Sequence, residues 1–434
     1  MTGLGILAAI VLGFGLISRR LQGTLVTAPM IFVAVGLVVG GAGIVEISGF
    51  FDNTDSGTFE LKNEFVLTVA ELALVLVLFS DSSRIHLKQL RGNATLPGRL
   101  LAIGTTLTIG AGAGLALALL GELTLWEAFI IAAVLAPTDA ALGQTVVSSP
   151  KLPLRIRQTL NVESGLNDGI SVPFLTLFIA LAVAQEDAGS AREWITFALE
   201  EIGYGALIGI GAGLLGARLV NEAIRRGWMT GIFQQLAIAS IAVIAWAAAE
   251  PAGGNGFIAA FVAGLAVGST LRRGAGEKVL EFTEEEGQLL NLAVFFIFGL
   301  LAVDLLGDIT WQIVVYALLS LTVVRMLPVA VSLVGTGLMP ASVAFIGWFG
   351  PRGLASIILA LVVLSEGSLE LAGVDTIFLT MTVTVLLSVL MHGITAVPLT
   401  DRYARLCERS MEEDAPEMKD VPDLPTRETW TTDA

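Results

Sequence analysis

The sequence predicts an all-α polytopic membrane protein of about thirteen transmembrane helices, arranged as two inverted six-helix repeats with broken, crossing helices. Three observations predict it. Of 434 residues, 55% are hydrophobic and 15% charged, and the mean hydropathy is +0.81. Apolar stretches of 16 to 25 residues recur almost end to end. Roughly 20 such residues at about 1.5 Å rise span the ~30 Å hydrocarbon core of a bilayer. Two of the stretches are interrupted by proline at corresponding places in the chain, the mark of repeats that cross at their breaks.

The spans fall near 3–18, 26–41, 64–80, 99–121, 125–148, 158–185, 195–217, 231–249, 254–271, 286–306, 309–334, 341–365 and 373–399. The first lacks a basic leading region, and Arg19-Arg20 follow its apolar run, so it is expected to be a retained helix. Basic residues fix the orientation. With the N-terminus outside, the inside loops and tail hold twenty of the twenty-four Lys and Arg, and the outside loops hold only Lys62 and Arg192. A multi-pass protein of the cell membrane follows, with the N-terminus outside and the C-terminus cytoplasmic. Residues 408–434 read as an acidic, disordered cytoplasmic tail after a membrane domain spanning 1–407.

One cysteine, Cys407, excludes an internal disulfide, and two histidines, His86 and His392, do not suggest a zinc site. No cofactor and no nucleic-acid partner is expected; the partner is the lipid bilayer. Net charge is −15 with only five lysines against nineteen arginines. That balance fits a prokaryote living in high salt, or an ordinary acidic membrane protein.

Ionisable residues within the spans point to function, because a charge in hydrocarbon is costly. They are Glu71, Asp139, Glu163, Asp168, Arg325 and Arg352. Span five contains Ala136-Pro137-Thr138-Asp139, and span twelve contains Phe349-Gly350-Pro351-Arg352-Gly353. Proline removes a donor and crowds the preceding turn. Taking span seven as a linker, both breaks fall at the fifth member of a six-helix set, which points to a transporter with its site at the crossing. Half-helix ends expose polar backbone. The Thr138 carbonyl and Asp139 then offer oxygens to a small cation, and Arg352 offsets the carbonyl ends opposite.

Glu163-Ser164-Gly165-Leu166-Asn167-Asp168 opens span six. Residues four apart share a helix face. Ser164 and Asp168 therefore face an ion, while Glu163 and Asn167 knit the helix to a neighbour, with an arginine as partner for Glu163. Glu71 is either a further site acid or another arginine partner. Arg325 either joins the site or snorkels towards the inner surface. His392 reads as a packed polar residue.

At these residues the chain resembles sodium/proton antiporters of the NhaP and NHE type, in the monovalent cation:proton antiporter superfamily. Leu78 to Ile85, Asn255 to Gly264 and His392 to Ala396 add to the resemblance, which covers about residues 5–405. It implies an NhaA-like antiporter fold and a homodimer. Core helices would lie near 64–185 and 286–400, and dimerisation helices near 1–41 and 195–271. It implies that Asp168 binds either cation or proton, and that Asp139, Ser164 and the Thr138 carbonyl share the Na⁺ site; Asn167 and Glu71 stand as further candidates from the reading of the spans. It implies a core ion pair between Glu163 and Arg352. Asn167 before Asp168, where electrogenic relatives carry a second aspartate, implies electroneutral one-for-one exchange. Ala140 departs from the family's usual proline.

The expected function is exchange of a monovalent cation, Na⁺ first and Li⁺ or K⁺ as alternatives, for H⁺ by alternating access, in pH and sodium homeostasis. It is transport and not enzymatic catalysis. The rivals are an intramembrane aspartyl protease using Asp139 and Asp168 as a pair, and a cation channel.

Overall fold

Backbone in hydrocarbon must satisfy its own hydrogen bonds, which leaves helices as the economical solution. The computed structural model describes residues 2–21, 24–45, 51–53, 59–61, 64–85, 94–121, 123–186, 191–271, 275–367, 371–410, 415–419 and 421. Lys62, His86, Lys88, Arg91, Arg272, Arg273 and Arg427 fall outside them.

Helices occupy every predicted span. They are α1 (Thr2–Leu21), α2 (Ala28–Gly41), α3 (Glu64–Ser83), α4 (Thr95–Leu119), α5 (Leu125–Val134), α6 (Ala140–Val147), α7 (Leu154–Glu186) and α8 (Ala191–Arg225). Then follow α9 (Gly231–Ala249), α10 (Gly256–Thr270), α11 (Ala275–Leu305), α12 (Trp311–Leu321), α13 (Val323–Ser332), α14 (Pro340–Trp348), α15 (Leu354–Gly367) and α16 (Val374–Ser410). Among the described residues, eight helical segments are long and apolar enough to cross a membrane, and shorter apolar helices accompany them. A short antiparallel ladder, β1 (Phe51–Asn53) with β2 (Phe59–Leu61), lies in the acidic connection before α3, where only a loop was expected.

Both proline breaks are present: α5 gives way to α6 at Pro137, and α14 to α15 at Pro351. The structure adds a second pair of irregularities that the apolar pattern conceals. A π-helical turn, Leu100–Thr105, lies in α4, and Thr322, at φ −109° and ψ −89°, separates α12 from α13. These fall in spans four and eleven, each the fourth of its set, so the two halves echo one another twice. They also meet: Arg99 donates to the Ser332 and Val334 carbonyls at 2.6 and 2.7 Å, closing the C-terminal end of α13.

Helix association in lipid relies on close packing of small residues. Gly205, Gly209 and Gly213 on α8 lie against the carbonyls of Asn255, Ala259 and Ala263 along α10, where any side chain would collide with backbone. Gly36 of α2 and Gly299 of α11 meet in the same way. By contrast α1 is little buried; Leu12 and Leu16 are exposed. The tail, expected to be disordered, departs from that expectation in its described part. Pro416–Met418 form a 3-10 turn against the core, and Glu417 is fully buried.

Candidate ion site

Past the end of α5 at Val134, the carbonyls of Ala136 and Pro137 lie in the break, where the helix supplies no donors. Arg352 supplies them: its Nη1 donates to the Ala136 carbonyl and, at 2.9 Å, to that of Pro137. Asp139 restarts the helix as the N-cap of α6, one carboxylate oxygen accepting from the Ala141 and Leu142 amides at 2.7 and 3.2 Å. Its other oxygen accepts from the Leu354 amide, the first of α15, at 2.9 Å. The Asp139 amide in turn donates to the Pro351 carbonyl at 2.7 Å. The two breaks are thus bonded directly to one another. Gly353 is obligatory here, since a Cβ on it would run into the Asp139 carboxylate. Gly353→Ala is expected to separate the breaks, destabilising the protein by about 1–3 kcal/mol. A thermal unfolding midpoint equal to wild type would contradict this.

The α7 helix carries the acidic cluster past this crossing. Ser164 Oγ lies 3.0 Å from Thr138 Oγ1, Asn167 Nδ2 donates to the same hydroxyl at 2.6 Å, and Asn167 Oδ1 accepts from the Thr138 amide at 3.3 Å. The two-face division read from spacing needs amendment. Residues three apart are helix neighbours too, so Ser164 and Asn167 meet on Thr138 instead of facing different ways. Asp168 follows, 7% exposed and within electrostatic range of Arg352.

The expected Glu163–Arg352 pair is corrected. Arg325 Nη2 lies 2.6 Å from Glu163 Oε1, with side chains 2% and 1% exposed. The physical reason is that Arg352 is turned across the break to the Ala136 and Pro137 carbonyls, which have no other donor among the described residues. Arg325 sits in the space left by Gly350, whose missing Cβ would strike its guanidinium. It does not snorkel. Glu71, half-buried on α3, feels the charge of Glu250. Among the described residues no hydrogen bond joins it to Thr138, Asp139 or Asp168.

Spacing alone missed several contributors. The Arg352 amide donates to Ser388 Oγ at 2.6 Å; Ser388 Oγ lies 3.2 Å from His392 Nδ1, and His392 Nε2 lies 2.9 Å from the Trp348 carbonyl. An i, i+4 Ser/His pair in the last span was the available signal. Glu127, only 1% exposed, belongs among the buried acids as well; it completes a capping box with Thr124 and accepts from the Gly373 amide at 2.6 Å. Asp81 and Arg84 are also buried, and with Ala140, Asn161 and Gly165 they line a narrow cleft of about 10 Å³, room for a single water, beside the crossing.

An acid beside a hydroxyl–amide cluster thus stands at the crossing of two broken helices within an apolar helical fold. Residues 6–402 match the family described as sodium/hydrogen exchanger, transmembrane, and the chain belongs to that family. It is 27% identical over 362 residues to the K(+)/H(+) antiporter NhaP of Alkalimonas amylolytica, a match covering 82% of this chain and 59% of that protein. It is 28% identical over 368 residues to the K(+)/H(+) antiporter NhaP2 of Shewanella sp. (strain ANA-3), covering 84% and 60%. The chain thus spans about three fifths of the length of the curated relatives it matches. Its fold is that of the sodium proton antiporter MjNhaP1 from Methanocaldococcus jannaschii, with a TM-score of 0.75 at 19% identity over 93% of this chain and 99% of that one.

Proposed function

We propose that the chain exchanges a monovalent cation for H⁺ at Asp168. The observation that carries this is a buried carboxylate next to the Thr138–Ser164–Asn167 cluster, where two broken helices cross. Burial raises a carboxylate's affinity for protons, and a bound cation opposes protonation, so the two compete for one charge. Either occupant leaves the site roughly neutral and able to move between faces. The empty, charged site resists that movement, and exchange becomes obligatory. Ser164, the Thr138 carbonyl and Asp139 are the further oxygens proposed for the cation. Asp139 contributes chiefly by holding the crossing, since both its oxygens accept amides. The cleft at Asp81, Arg84 and Asn161 is the proposed approach.

In the proposed topology the chain crosses the cell membrane thirteen times, with the N-terminus outside and the C-terminus cytoplasmic. It also includes a homodimer through the exposed apolar faces of α1 and α8. Na⁺ is the proposed substrate; the relatives named for K⁺ make K⁺ the alternative. The test is proton movement in proteoliposomes under an imposed pH gradient with each alkali chloride and with choline chloride. Alkali cations are expected to collapse the gradient while choline does not; conductance without counter-transport would favour a channel. The protease reading requires Asp139 and Asp168 to share a proton, whereas Asp139 accepts three backbone amides.

Asn167 holds the broken helix and carries no charge, so one carboxylate handles one cation or one proton. Exchange is expected to be electroneutral. An imposed membrane voltage should leave the initial rate unchanged; a steep voltage response in tight liposomes would refute this stoichiometry.

A further inference from the structure

The described tail residues do something the core does not explain. Glu417 Oε1 accepts from the Met339 amide and from Ser342 Oγ, both at 2.7 Å, and Tyr403 donates to Ser342 Oγ at 2.7 Å. Arg155, near the start of α7, donates to the Pro416 carbonyl at 2.5 Å, and its charge faces Glu417. Met339 is the N-cap position of α14, and its own side chain caps nothing. A helix N-terminus leaves amides unsatisfied and carries partial positive charge. A buried carboxylate 78 residues away in sequence supplies the missing acceptor and the opposite charge.

The helix so capped is the nine-residue half-helix whose other end runs into Gly350-Pro351-Arg352. The same short segment grips the start of α7, which carries Ser164, Asn167 and Asp168. Residues 416 and 417 therefore fix the ends, remote from the crossing, of both elements that build the site. We propose that Glu417 is a positioning residue for exchange: by capping the end of α14 remote from the crossing, it sets the register in which Pro351 and Leu354 bond to Asp139. This rests on the exchange reading above.

Glu417→Ala in the full chain, in proteoliposomes, is expected to raise the cation concentration for half-maximal exchange roughly three- to tenfold, in line with the loss of a helix cap. Maximal rate per folded protein should stay within about twofold, as for a loss of ground-state binding. Glu417→Gln keeps an acceptor for both donors and is expected to restore most of the affinity. A tail contact that merely adds stability would lower the unfolding midpoint and leave the half-maximal concentration unmoved; that result overturns the proposal. Should Glu417→Ala fail to fold, Ser342→Ala, which removes one donor, is read the same way. Hydrogen exchange at the Asp139 and Leu354 amides needs no transport. Faster exchange there in Glu417→Ala supports the proposal, and unchanged exchange refutes it. Wild-type protein inert in every alkali salt would refute the exchange reading, and the amide measurement would still decide the role of Glu417.

Discussion

Asp168→Asn abolishes cation-driven proton movement, bringing it to the level of liposomes without protein, while leaving the protein folded. The substitution keeps the volume of a side chain that is 7% exposed, so packing survives. What it removes is the one property both substrates require. An amide neither takes up a proton near neutral pH nor carries the charge that offsets a cation in a site without bulk water. The site is then permanently neutral, as though loaded, and either stays idle or moves with nothing to exchange. Asn167 does not take over, because its amide is committed to Thr138 in both directions. Wild-type rates in folded Asp168→Asn protein would remove Asp168 from the mechanism.

The second large effect falls on stability. Glu163→Gln or Arg325→Met each leaves a buried, uncompensated charge and is expected to destabilise the protein by about 3–5 kcal/mol. Both side chains are essentially sealed from solvent, and their contact joins α7 to α13 across the core. Replacing both together, Glu163→Met with Arg325→Met, is expected to recover most of that loss, because the desolvation of two charges disappears with the pair. Thermal unfolding in detergent of the two single variants and the double variant measures this. Single variants as stable as wild type, or a double variant no better than either, would show that the pair is not coupled as described. Arg352→Met paired with Glu163→Met should give no such recovery, since Arg352 serves the Ala136 and Pro137 carbonyls.

The contrast between the two arginines shows what the sequence made legible. The breaks at Pro137 and Pro351 and the span positions follow from local chemistry, a missing N–H and an apolar run, and both are where they were expected. The gathering of Ser164 and Asn167 on Thr138 was only half legible: spacing by four put Asn167 on the face away from Ser164, whereas both meet the Thr138 hydroxyl. The partner of Glu163 was not legible. Helical spacing says which way a side chain points along its own helix; it does not say which of two arginines, 162 and 189 residues on by numbering, lies opposite. The clue was Gly350, whose lost Cβ makes room for Arg325, and that reads only in three dimensions. The irregularities at Leu100–Thr105 and Thr322 were hidden for a related reason: neither contains proline, so nothing in their composition marks them. The order of residues 415–419 was not legible because composition averages over a segment, whereas one glutamate finding two donors is enough to seat that short stretch.

The central claim is that cation and proton compete for one carboxylate. The apparent KM for the cation, measured in proteoliposomes across pH, tests it most directly. Competition predicts that below the carboxylate's working pKa the KM rises about tenfold for each unit of pH lost, while the rate at saturating cation holds steady. A KM that ignores pH while the saturating rate falls would mean that the proton binds elsewhere, and would contradict the account.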